Sequence, residues 1–322
     1  MRILILGGTG EARELAAALV AAGTDVLSSL AGRVRNPRLP EGPVRIGGFG
    51  GAEGLAAFLA TEGIAAVVDA THPFAAGITA NATQAAAAAG VPLLVLRRPG
   101  WDADPAWHAA ADIGAAAAAV RDWPGERVFL TTGRRDLAAF AADDAHDFLV
   151  RTVDPPEGPV PPRMTLLLDR GPYTAEGETA LMREHGVGLL VTKNSGGPMT
   201  AAKLTAAREL GVQVVVVARP PLPPGAAVVA TVPEALRWLA ARADLSRTDA
   251  GITAAPTPPP AGRRAAGRRG RRSVPRPPDG ANPAPEWWSG RVNAFRSPLA
   301  PLPGWPPGWP PRRAGSAAAP PR

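Results

Sequence analysis

A chain of 322 residues has room for two domains of ordinary size, and the absence of cysteine excludes disulfides, thiolate catalysis and zinc–cysteine sites. The net charge of +7 is unevenly spread: residues 248–322 hold 12 arginines against 3 acidic residues (+9), leaving 23 basic and 25 acidic residues (−2) in 1–247. The near-neutral body gives no electrostatic reason to bind nucleic acid, no apolar run approaches a membrane span, and no signal peptide precedes the first strand, so a cytoplasmic protein is expected.

The first ten residues read as a short apolar strand, Met1 to Leu6, entering Gly7-Gly8-Thr9-Gly10 and an alanine-rich helix over 12–22. Strand, glycine turn and helix form the opening unit of a dinucleotide-binding fold, in which the helix N-terminus offers free N–H groups to a pyrophosphate. In the fingerprint G-x-G-x-x-G the third glycine is here Arg13. The alternative is a turn that uses glycine for backbone geometry alone.

The next strand ends near Ser28 and is followed by Gly32 and Arg33. An acidic residue for a ribose 2′-OH is missing there; a hydroxyl and a guanidinium suit a 2′-phosphate, so NADPH is favoured over NADH. Arg33 and Arg35 as ordinary solvated loop charges are the alternative.

Further strands end at Ile46, Ala70 and Leu96, with helices over 52–62 and 75–89 between them. Residues 101–107 interrupt the alternation and read as a crossover. It then resumes with strands over 127–131, 148–152, 165–168, 188–191 and 212–218, and helices over 135–142, 176–185, 200–210 and 233–243. The expected fold class is α/β, with two Rossmann-like doubly wound parallel-sheet domains over 1–110 and 111–247 and a ligand cleft between them. Residues 248–322 carry 18 of the 38 prolines and four of the eight tryptophans without helical or strand period, and are expected to be a disordered appendage. A tail that binds RNA or acidic surfaces is the alternative.

Polar residues gather where strands end, at the face where open α/β sheets bind ligands. Thr71-His72-Pro73 is expected to line the cofactor pocket, without His72 titrating in catalysis. Lys193 stands out because the chain has two lysines against 33 arginines; at a strand end it is a candidate proton donor or anion contact, or else a structural lysine pairing a carboxylate. Lys203, inside a helix, reads as a solvated or cleft-edge charge. Arg97, Arg98, Arg134, Arg135, Arg151 and Arg170 near strand ends would make a basic cleft for a polyanionic substrate. No histidine or carboxylate stands at metal-ligand spacing beside His72, and no metal is expected. The single tyrosine, Tyr173, has Gly177 four residues on, so the Tyr-x-x-x-Lys pair of short-chain reductases is absent. A two-domain nucleotide-binding protein without redox chemistry, such as a sugar-nucleotide transferase, is the other reading.

Taken together, Ile5-Leu-Gly-Gly-Thr-Gly-Glu-Ala-Arg13, Ser29-Leu-Ala-Gly-Arg33, Asp69-Ala-Thr-His-Pro-Phe-Ala75, Thr131-Thr-Gly-Arg-Arg135, Arg170-Gly-Pro-Tyr173 and Thr192-Lys-Asn-Ser-Gly-Gly197 resemble the precorrin-6A or cobalt-precorrin-6A reductase family of cobalamin biosynthesis. The resemblance covers about residues 1–243. It implies an NADPH-dependent reduction of one ring double bond in a polycarboxylate corrin-pathway macrocycle, with or without cobalt. By that likeness Gly7, Gly8, Thr9, Gly10, Glu11, Ser28, Gly32, Arg33, Thr71, His72 and Pro73 would hold the cofactor. Arg134, Arg135, Tyr173, Asn194 and Ser195 would face the substrate, with Lys193 the proton donor. Transient contact with neighbouring pathway enzymes is compatible with it.

Overall fold

In a computed structural model, which describes residues 1–32 and 35–252, two six-stranded parallel sheets carry the chain. The first half runs β1 (Arg2–Leu6), α1 (Gly10–Ala21), β2 (Asp25–Leu30), β3 (Val44–Ile46), α2 (Gly51–Thr61), β4 (Ile64–Asp69), α3 (Ala76–Ala89) and β5 (Leu93–Leu96). It continues with β6 (Trp107–Ala110), α4 (Ile113–Arg121), β7 (Arg127–Leu130), β8 (Asp147–Thr152), β9 (Met164–Leu168) and α5 (Ala175–Glu184). The last elements are β10 (Leu189–Lys193), α6 (Ala202–Leu210), β11 (Gln213–Val217), β12 (Ala227–Val229) and α7 (Val232–Ile252).

The strand orders are β12-β5-β4-β1-β2-β3 and β6-β11-β10-β7-β8-β9, both parallel throughout. Each sheet reverses its winding direction once, at β1/β4 and at β7/β10. These are the topological switch points, where loops after neighbouring strands diverge and leave a crevice.

Period-2 alternation explains why the strands are apolar without relief. In β1, Ile3 and Ile5 pack with Leu15, Leu19, Val232 and Leu239 under α1 and α7. Leu4 and Leu6 face the opposite layer with Leu55, Leu59 and Ala82 of α2 and α3. The second sheet repeats the plan with Phe129, Leu190 and Val216 against Met182, Leu204 and Ala207. A strand buried on both faces has no polar side to present.

The division at residue 110 is corrected by strand pairing. β6 lies before that boundary yet pairs with β11 in the second sheet, and β12 lies after it yet pairs with β5 in the first. The two lobes thus exchange their edge strands, and α7 returns to cover α1 and β5. The helix expected over 135–142 is a single 3₁₀ turn, Leu137–Phe140, because residues 131–136 are spent on the loop after β7. α7 runs through Ile252, so the first residues assigned to the appendage are helical; the remainder of 248–322 lies outside the described residues. Among the described residues no helix is long and apolar enough to cross a membrane.

Candidate active site

The loop after β1 is built for close approach. Gly8 has φ +122°, and a Cβ placed there would meet nothing within 4 Å. Thr9 caps α1: its Oγ1 accepts from the Ala12 N–H (3.1 Å) and donates to the Ala70 carbonyl beyond β4 (2.8 Å). The turn is pinned to both neighbouring strands, since the Gly7 N–H also donates to Ser29 O (2.9 Å). Thr9 is buried, and its hydroxyl is engaged in holding the turn, not in facing a ligand.

Two grooves of about 650 Å³ each flank this turn and share Gly7, Gly8 and Ala31. One is lined by Gly32, Arg13, Arg35 and Arg38 from the first lobe and by Arg170, Tyr173 and Thr200 from the second. The other holds Ser29, Phe49, Thr71, His72 and Arg135. A third cavity, about 970 Å³, lies over the β7/β10 crevice and is walled by Thr132, Arg134, Arg135, Arg151, Tyr173, Lys193, Ser195 and Lys203. His72 and Arg135 line both it and the second groove; Tyr173 and Thr200 line both it and the first. The three spaces therefore run together around the glycine turn.

Several expected residues fall elsewhere. Ser28 is 1% exposed and on neither groove wall; strand alternation turns it inward, and Ser29 takes the lining position. Pro73 lines a separate hollow with Arg97 and Pro220–Pro223. Gly10 is the first residue of α1 and lines neither groove. The Glu11 carboxylate takes both of its bonds from Arg98 (3.1 and 2.9 Å) instead of lining a groove. Asn194 is spent on scaffolding, its Oδ1 accepting from the Trp101 N–H (2.9 Å). Arg33 lies outside the described residues. Arg13 and Arg38 line the first groove without having been singled out in the sequence; the first occupies the place of the third glycine, which was the signal.

The cleft side chains are oriented by a network. Buried Asp69 ends β4; its Oδ1 accepts from the Thr71 N–H (3.0 Å) and hydroxyl (2.7 Å), and its Oδ2 from Thr79 (2.6 Å). That fixes the 71–74 loop. The His72 Nδ1 accepts from the Phe74 N–H (3.3 Å) and its Nε2 lies 3.2 Å from Ser195 Oγ. The first bond puts the ring proton on Nε2, which donates to the serine. His72 opens onto the cleft, but loss of water around the charged form and the cations of Arg98, Lys193 and Arg219 lower its pKa to about 4. It is neutral at pH 7.

Lys193 at the end of β10 forms an ion pair with Asp136 (2.5 Å) and lies over the Phe74 ring. Lys203 stands at the cleft edge, buried there and not solvated. It is 7% exposed, donates to the Thr200 carbonyl (2.6 Å) and lies 5.1 Å from the Trp101 ring centre. Burial lowers its pKa to about 8, with Glu178 opposing the fall and Arg151 adding to it. Beneath it Arg151 pairs with Glu178 (2.7 Å) and stacks on the Tyr173 ring (3.7 Å). Burial in turn raises the Tyr173 pKa, so its hydroxyl stays protonated at neutral pH. The site thus offers a cradle for a phosphate-bearing ligand, a cationic cavity and an ammonium group able to release a proton near neutral pH.

Residues 2–240 match the family model described as precorrin-6x reductase CbiJ/CobK. The chain belongs to that family. A precorrin-6A reductase of Rhodococcus erythropolis is 58% identical over 241 residues, covering 74% of this chain and 97% of the relative. One from Mycobacterium tuberculosis (strain CDC 1551 / Oshkosh) is 55% identical over 240 residues, with the same coverage. The solved structure of a CobK precorrin-6A reductase superposes with a TM-score of 0.70 at 43% identity, over 75% of this chain and 97% of that one. As a member of the precorrin-6x reductases the protein is an oxidoreductase. The family match ends at residue 240, part-way along α7.

Proposed function

We propose that this protein is a cytoplasmic, NADPH-dependent reductase of precorrin-6A in cobalamin biosynthesis, converting one ring double bond to a CH–CH bond. The observation that carries the reading is the continuity of the glycine-turn grooves with the 970 Å³ cavity through His72 and Arg135. A dinucleotide laid across the turn and a macrocycle in the cavity would meet at those two side chains.

The residues present fit the cofactor. The α1 N-terminus supplies N–H groups and a positive dipole end, Gly8 leaves room for close backbone approach, and Arg13, Arg35 and Arg38 line the groove beside Gly32. Three guanidiniums suit a 2′-phosphate, and NADH would leave them without that partner. The reduced nicotinamide, when bound, supplies a hydride to one carbon of the ring double bond.

The chain's own groups do the rest. Arg134, Arg135 and Lys193 hold the macrocycle's carboxylates at the cavity wall. Neutral His72 and Ser195 bound the junction without offering a competing proton. Lys203 gives its proton to the neighbouring carbon, completing the addition; its pKa of about 8 matches the task better than an ordinary lysine. Lys193, the donor read from the sequence, would strand Asp136 if it lost its charge and serves better as an anion contact.

The test is calorimetry with both nucleotides. NADPH should bind more tightly than NADH by roughly 1–3 kcal/mol, the scale of one charge-assisted hydrogen bond, and Arg38→Ala or Arg13→Ala should erase part of that preference. Equal affinities in the unaltered protein would contradict the reading.

A further inference from the structure

The segment that follows β5 and the segment that follows β11 cross between the lobes side by side, and a third strand end, that of β10, is threaded against them. At this crossing one side chain joins the first turn of α1 to the loop after β10. Arg98 donates twice to the Glu11 carboxylate in the first turn of α1 (3.1 and 2.9 Å). Its Nε also donates to the carbonyls of Ser195 (2.8 Å) and Gly196 (3.1 Å) in the loop after β10. Arg219 reinforces the crossing through Asn194 O (2.7 Å), Arg98 O (2.7 Å) and Ser195 O (3.0 Å).

The packing there leaves no slack. Gly196 has φ +65°, and a Cβ on it would run into the Pro99 carbonyl and the Arg219 guanidinium. Charge is equally tight. Burial and the neighbouring Arg97 and Arg98 lower the Arg219 pKa to about 10. Glu11 is the carboxylate in salt-bridge contact with this arginine cluster among the described residues.

We infer that Glu11 and Arg98 are positioning residues for the reduction: through the Ser195 and Gly196 carbonyls they set how far the glycine turn stands from the loop bearing Lys193 and Ser195. Glu11 then acts as an anchor between lobes and not as a cofactor ligand. The inference rests on the dinucleotide lying at the glycine turn, as proposed above. Bond-forming steps are steep in distance, and a displacement near 1 Å can cost roughly a hundredfold in rate.

The experiment compares the full-length protein with Glu11→Gln, which keeps shape and removes charge, and Arg98→Lys, which keeps charge and removes the fork. Three readouts are taken: NADPH affinity by calorimetry, kcat with NADPH and the macrocycle, and amide hydrogen exchange of residues 193–197 without ligand. The expected result is a kcat lowered by roughly ten- to a hundredfold, NADPH affinity within about twofold of the unaltered protein, and faster exchange in 193–197. Conserved kcat together with unchanged exchange in both variants overturns the inference, as does weaker NADPH binding with kcat retained. An unaltered protein that does not oxidise NADPH would instead contradict the proposed function, and the exchange data would still decide whether Glu11 and Arg98 order the loop.

Discussion

Lys203 shows how burial makes a function that residue type alone does not. As one of two lysines, inside a helix, it reads as a solvated or cleft-edge charge, and α6 places it largely buried in the cavity wall. A lysine whose pKa falls from 10.5 to about 8 on folding binds fewer protons folded than unfolded in that interval. Stability should therefore rise as pH climbs from about 8 to 10.5, and below pH 8 the cost of burying the charge is felt in full, roughly 3 kcal/mol at 1.4 kcal/mol per unit. Lys203→Met should raise the melting temperature while lowering turnover by about a hundredfold or more. The alkaline limb of the unaltered enzyme's kcat/KM, which reports the free protein, should bend near pH 8. A fully active Lys203→Met variant would end its role as acid.

At the scale of elements, the buried pair of Arg151 on β8 and Glu178 on α5 ties a sheet to its covering helix. Removing the carboxylate leaves a largely buried guanidinium at the cavity wall without its counter-ion. Glu178→Ala should cost about 3–5 kcal/mol, seen as a lower midpoint in urea. Because Glu178 also opposes the fall of the Lys203 pKa, the alkaline limb should move to lower pH in the same variant. A midpoint unchanged within error would mean that water replaces the lost partner. The sequence made these elements legible where the signal is local: apolar runs between glycine turns mark the strands, and the loops after β1, β4, β7 and β10, expected to form the ligand face, contribute residues to the grooves and cavity around the glycine turn. Side-chain direction was less legible. Ser28 and Ser29 are adjacent hydroxyls on one strand, and only the pleat decides which faces the groove. Arg13 was read as a missing glycine, and its place on the groove wall follows from which face of α1 meets the cleft.

Over the whole molecule, the exchange of β6 and β12 between sheets was invisible in the sequence, because strand pairing is a long-range choice that periodicity does not encode. It has a consequence for truncation. Ending the chain before β12 would strip an edge strand from the first sheet and bare the apolar faces of α1 and β5 that Val232, Ala235 and Leu239 cover. Such a protein should fail to fold cooperatively in thermal unfolding. Ending it at residue 253 should leave melting temperature and kcat unchanged, consistent with a family match confined to residues 2–240. Loss of activity on that shorter cut would assign a role to the arginine-rich remainder.

The claim on which the whole account depends is a direct transfer from a nicotinamide to a bound macrocycle. Its most direct test uses NADPH carrying deuterium at the transferable position of the nicotinamide, incubated with precorrin-6A and the full-length protein, with the product analysed by mass spectrometry. The expected product is a reduced macrocycle that retains the label after repeated exchange against ordinary water. A reduced product without deuterium, or no product alongside intact NADPH, would contradict the claim.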